Sequence, residues 1–243
     1  MERVFGKKGI YPISLGFNCH VKVYIQMLAE MERGGEGRIY GQRMPFDWLG
    51  ISMWSLCQIV KADFADFASK SVLELRQRLV KDPALYVTNR RYNCIFPHDF
   101  GKNMDKTSNA RYAEVEADYL RRIERWRETI ESGKHILFIR LEMDEKERVI
   151  YPDFSQAEDA DEKKYLEEFA GLMLSKGVQF TILHLTQKYP TSYDAVNRIC
   201  YVKFEKPANV KAIGGNEIEE IIRKNIAHVR SAVAAAAIEY PRV

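Results

Sequence analysis

The second half of the chain alternates buried-type strands with an amphipathic helix, and that alternation leaves few folds open. His135 to Leu141 reads His-Ile-Leu-Phe-Ile-Arg-Leu. A near-continuous apolar run of this length is the mark of a strand covered on both faces. Asp161 to Ser175 then carries apolar residues at helical spacing and is closed by Gly177. Gln179 to Leu185 is a second apolar strand, and Ile199 to Phe204 a third. A helix between two buried strands is the crossover that parallel strands require. The expected fold class is therefore α/β, a mostly parallel open sheet flanked by helices in a Rossmann-like three-layer arrangement.

The first half contributes one more β-α unit and a long insertion. Ile13 to Leu15 is a short strand candidate that runs into Gly16. Asn18 is a natural N-cap, and a helix from about Cys19 to Met31 follows, with Val21, Ile25 and Leu28 on its apolar face. Residues from about 33 to 108 form a helical and aromatic insertion. Within it, helices are expected at Ser52 to Val60 and at Ser71 to Val80, and a hairpin joins Tyr86-Val87 to Tyr92 to Phe96. A long helix spans about Asn109 to Ser132, and Asn216 caps a last one. Residues 1 to 243 are read as a single α/β domain.

Composition removes several classes of function. The formal net charge is +3, too small to point to nucleic acid. Arg121, Arg122, Arg125 and Arg127 are interleaved with Glu124 and Glu128, the pattern of a solvated helix face. No apolar run approaches the roughly 18 residues that span a bilayer, and the first residues lack the apolar core of a signal peptide. The cysteines Cys19, Cys57, Cys94 and Cys200 form no C-x-x-C pair, which speaks against structural zinc and a disulfide framework. A reducing, cytoplasmic setting is expected. Neither a dinucleotide fingerprint, a Walker loop nor a Gly-x-Ser-x-Gly elbow is present, so no cofactor and no metal is expected. The expected partner is a small-molecule or peptide substrate.

Parallel sheets bind ligands outside the carboxyl ends of their strands. That rule selects Asn18 and Cys19 after the first strand, Glu142 and Asp144 after the next, His184 and Thr186, and finally Glu205. Cys19 falls at a helix start, where the dipole favours thiolate over thiol. A thiol nucleophile needs a base. His98 is the leading candidate, set in Phe-Pro-His-Asp-Phe with Asp99 beside it, while Asp47 is the other candidate orienting carboxylate. His184 is the second candidate base, although a histidine inside a strand is more often a core residue. Against these readings, cysteine is commonly a small buried hydrophobe, as expected for Cys57, Cys94 and Cys200. Likewise, Pro45-Phe46-Asp47-Trp48 also reads as a packed turn with Asp47 as a cap. Gly16, Asn18, Trp48, Arg140 and His184 are the candidate binding residues.

The pattern Ile13-Ser14-Leu15-Gly16-x-Asn18-Cys19, with Pro45-Phe46-Asp47-Trp48 after it and the strand Ile136 to Arg140 further on, resembles a family described as papain-like cysteine peptidases. The resemblance implies a catalytic Cys, then a His, then an Asp or Asn. Cys19 matches the first and His98 the second by order, with Asp99, Asp144 and Asp47 open for the third. It also implies a helical lobe carrying the Cys and an antiparallel barrel carrying the His, where the periodicity implies a parallel sheet. Two further readings are a transferase that binds a sugar- or phosphate-bearing substrate at the helix start after Gly16, aided by Arg43 and Arg140, and a non-catalytic domain whose Phe46, Trp48, Tyr92, Phe96 and Phe100 form a recognition surface.

Overall fold

The computed structural model describes residues 10–17, 21–22, 25, 43–77, 85–101, 108–142 and 161–203. Asn18, Cys19, His20, Asp144, Glu205, His228 and the expected helix after Asn216 lie outside these residues. The strands are β1 (Ile10–Ser14), β2 (Leu73–Gln77), β3 (Leu85–Asn89), β4 (Cys94–Phe96), β5 (His135–Leu141), β6 (Phe180–Thr186), β7 (Ser192–Asp194) and β8 (Ile199–Lys203). The helices are α1 (Met53–Lys61), α2 (Asn109–Ile130) and α3 (Glu162–Ser175). Val21, Lys22 and Ile25 are also helical.

The main sheet has the order β1-β5-β6-β8-β7. Its first four strands are parallel, and β7 pairs antiparallel with β8. The α/β expectation thus holds, with all four parallel strands ending on one edge. β1 begins three residues earlier than the periodicity indicates and includes Pro12. A proline lacks the amide a central strand needs, and β1 is an edge strand among the described residues, where that loss is tolerated. The antiparallel barrel implied by the family resemblance does not occur among the described residues, because the long apolar runs pair in parallel.

The insertion is more varied than a helical one. α1 is present, but the described part of the helix expected at Ser71 to Val80 is not helical: Lys70–Val72 is a single 3-10 turn, and Leu73–Gln77 is strand β2. Leu-Glu-Leu-Arg-Gln alternates with period two, and β3 supplies its pairing partner. β3 and β4 form the expected hairpin. Its turn is organised by Asn89, whose Oδ1 accepts from the amides of Arg91 and Tyr92 at 2.8 and 3.0 Å.

The helices α1, α2 and α3 each start on a side-chain cap. Ser52 Oγ accepts from Ser55 N, Ser108 Oγ from Arg111 N, and Asp161 Oδ1 from Lys164 N. α2 turns the stripe Val115, Tyr119, Ile123 and Trp126 inward. Trp126 meets Phe138 of β5 at 5.7 Å between ring centroids, and Phe138 meets Phe169 of α3 at 5.1 Å. This aromatic seam joins the sheet to the helices. Burying side chains of this size is the dominant stabilising term, about 1.5–3 kcal/mol each.

Candidate active site

The carboxyl edge of the sheet is reached from β1 through a tight turn. Leu15 N donates to Ile139 O at 2.9 Å, and Gly16 N donates to Ser14 Oγ at 3.0 Å. Gly16 has φ +74°, and Phe17 follows with φ +89°. A phenylalanine in this region is strained, at a cost of order 1–3 kcal/mol, and persists only where its surroundings over-determine it. Glycine is required at 16 for space as well: an added Cβ would collide with Ile51 Cγ2 and come to 3.2 Å from Phe46 O. The turn before Cys19 is therefore packed directly on the Phe46 to Ile51 segment.

That segment explains why Pro45-Phe46-Asp47-Trp48 accompanies the first motif. Phe46 is fully buried and stacks among Phe64, Phe67 and Trp126. Asp47 Oδ2 accepts from Met44 N at 2.8 Å and closes the turn, and the same oxygen lies 2.8 Å from Lys22 Nζ. Burial pushes the Asp47 carboxyl above its ordinary range, and the Lys22 ammonium pulls it partly back. Asp47 Oδ1 has no hydrogen-bond partner. Trp48, at φ +67°, is half-buried and presents its ring edge-on to His98, 6.0 Å between centroids.

His98 reaches this place because β4 is tied to the same segment. Gly50 and Ile95 exchange backbone hydrogen bonds of 3.1 and 2.7 Å. His98 itself is exposed. Asp99 beside it serves as a brace for the loop. Its Oδ2 accepts from Tyr119 Oη at 3.0 Å, its Oδ1 from Arg122 Nη2 at 3.2 Å, and its carbonyl from Arg111 Nε at 3.0 Å. Both carboxylate oxygens are thus engaged by α2.

The other described histidines are differently placed. His135 starts β5, at the opposite edge, with Nε2 3.0 Å from Thr181 Oγ1. His184 is fully buried in β6, and burial lowers its imidazole pKa to about 3. It packs against Tyr189 and Tyr201, and its Nε2 lies 3.9 Å from Glu162 Oε1. Arg140, next to it in register on β5, is fully buried as well. Its guanidinium donates to Glu162 Oε1 at 2.6 Å and to the carbonyls of Leu15 and Ile51 at 3.1 and 2.9 Å. Further along the edge, Glu142 Oε2 accepts from Thr186 Oγ1 and Gln187 N, and Lys188 Nζ lies 3.2 Å from Oε1.

The described residues thus bring together the Leu15-Gly16 turn, Phe46 to Ile51, Arg140 and the His98 loop. Asp99 is turned toward α2, and His184 is sealed in the strand layer. The expected aromatic recognition surface does not form: Phe46, Tyr92, Phe96 and Phe100 are core residues, and of the five only Trp48 is partly exposed. Cys57, Cys94 and Cys200 are buried as expected. Burial raises the thiol of Cys57 strongly and that of Cys200 to about 11, which leaves both inert near neutrality. Among the described residues no three His, Cys, Asp or Glu side chains are grouped to hold a metal ion. No described helix is long and apolar enough to cross a membrane.

Lys22 and Glu162 are absent from the sequence-based candidates. Lys22 had one signal, a charge on the helix of an otherwise apolar stripe. Glu162 had one too, an acid in a first helical turn.

Residues 11–183 match the model of a family described as "Putative papain-like cysteine peptidase (DUF1796)". A curated relative, the uncharacterized protein R408 of Acanthamoeba polyphaga mimivirus, is 30% identical over 142 residues, covering 53% of this chain and 60% of the relative. No solved structure matches significantly.

Proposed function

The chain belongs to this papain-like cysteine peptidase family, and on that premise we propose that it is a cysteine-dependent hydrolase or acyl-transfer enzyme with Cys19 as nucleophile and His98 as general base. One observation carries the reading: the turn leading to Cys19 and the loop bearing His98 are both fastened to Phe46 to Ile51, through Gly16 packing on one side and the Gly50–Ile95 bridge with the Trp48–His98 contact on the other. Of the imidazoles described, His98 alone is exposed.

In this mechanism His98 takes the thiol proton as sulfur bonds to an acyl carbon. Backbone amides at the helix start, with Asn18, stabilise the oxyanion. The tetrahedral intermediate collapses, and His98 returns the proton to the departing amine or alkoxide. Water, deprotonated by His98, then cleaves the thioester and releases the acid. Asp47 and Asp99 support the two loops. The substrate is a peptide or a small acyl compound.

The transferase reading has less behind it. Arg140 is buried on protein partners.

Alkylation tests the proposal. With iodoacetamide near neutral pH, Cys19 should label well ahead of Cys57, Cys94 and Cys200, and His98→Ala should raise the pH at which it labels. Labelling of Cys19 no faster than a free thiol would defeat it.

A further inference from the structure

Arg140 sits behind the candidate site and is not part of any reacting group. Its guanidinium joins three segments that are distant in sequence. Nη1 donates to the Leu15 carbonyl, at the exit of β1, and to the Ile51 carbonyl, just past the Pro45 to Trp48 turn. Nε donates to Glu162 at the first turn of α3. Arg140 Cζ also lies 5.8 Å from the centroid of the Phe17 ring, within reach of a cation–π attraction. Both Arg140 and Glu162 are almost completely buried.

The backbone of Leu15 is thereby fully committed to β5. Its amide bonds Ile139 O and its carbonyl bonds Arg140. Directly after it come the two positive-φ residues Gly16 and Phe17. Strain of this kind relaxes unless neighbouring contacts forbid it. Arg140 supplies the contact on the sheet side, and Ile51, which it also holds, supplies the wall on the other.

We infer that Arg140 is a positioning residue: together with Glu162 it holds the strained Gly16-Phe17 turn out of β1 in one conformation. This rests on the reading of Cys19 as nucleophile. A planar fork is needed, because one guanidinium must satisfy two carbonyls and a carboxylate at once; a lysine ammonium on a flexible stem cannot reproduce that geometry.

The test measures the rate of Cys19 alkylation by iodoacetamide against pH in the full chain. The informative variant carries Arg140→Met with Glu162→Met, which removes the lock without leaving an unpaired buried charge. Its labelling at pH 7 is expected to fall by about tenfold, with the midpoint of the pH profile displaced upward by about one unit. Arg140→Lys should fall in between, and it provides the same reading if the double variant does not fold. Ile182→Val, a core change away from the turn, controls for lost stability and should label as wild type. Folded Arg140 variants that label at the wild-type rate or faster, with an unmoved midpoint, overturn the inference while leaving the nucleophile in place. A wild-type Cys19 that labels no faster than a free thiol overturns the nucleophile instead.

Discussion

The Lys22 ammonium lies 2.8 Å from Asp47 Oδ2, and both side chains are almost completely buried. The pair joins the helical Val21-Lys22 segment to the turn formed by Pro45 to Trp48. Neither charge has bulk water to fall back on. Removing Lys22 leaves the buried Asp47 carboxylate without its cation, which costs about 3–5 kcal/mol. Lys22→Met should lose about that much in urea denaturation, whereas combining Lys22→Met with Asp47→Leu should recover most of it. Single-variant losses below about 1 kcal/mol would show the pair to be solvated.

Two glycines with similar backbone angles should respond very differently to alanine. Gly16 has φ +74° and no room for a Cβ, while Gly133 has φ +68° and nothing within 4 Å of one. Gly133→Ala should cost about 1 kcal/mol, the conformational term alone. Gly16→Ala adds overpacking and should cost about 1–3 kcal/mol more. Equal shifts in thermal midpoint would contradict the packing described here.

The buried His184 makes stability depend on acid. Its folded pKa, about 3, lies below its ordinary 6.5. The unfolded chain therefore binds a proton that the folded chain refuses between those values. Stability is complete above about pH 6.5 and falls as pH drops toward 3, with a slope of up to about 1.4 kcal/mol per pH unit from this one group. His184→Gln should flatten the pH 4–6.5 portion of the curve by close to one proton. An unchanged slope would mean that the imidazole reaches water.

Asp99→Asn should loosen the His98 loop. The substitution keeps the shape but weakens the charge-assisted bond from Arg122, whose side chain is only 2% exposed. A loss of about 1.5–3 kcal/mol is expected by denaturation, accompanied by slower Cys19 labelling if His98 is the base. Normal labelling in a destabilised Asp99→Asn would assign Asp99 to stability only.

Much of the frame was legible because its signals are local and long. β5 and β6 are seven-residue apolar runs, and α3 is an amphipathic helix whose cap, Asp161, sits where the periodicity begins. β2 was misread because five residues of alternation are ambiguous until β3 lies beside them. β7, Ser-Tyr-Asp, carries no strand pattern at all and exists because β8 offers it an open edge. The candidate site divides in the same way. Gly16, Phe46 and Trp48 stood out as motif residues. Their functions depend on partners that no local window contains: Lys22 for Asp47, α2 for Asp99, and the carbonyls of Leu15 and Ile51 for Arg140.

The pairing of β1 with β5 has a consequence for the order of assembly. β5, β6 and β8 lie closer to one another in sequence than β1 does to β5, so they can collapse together with α3 first. β1 must find β5 across everything between Ser14 and His135. Closing so long a loop is slow, and its entropic cost is recovered only once the strand has docked. The turn out of β1 is therefore completed late, although β1 precedes β5 in the chain. On the reading of Cys19 proposed above, a chain still folding has no assembled reactive centre.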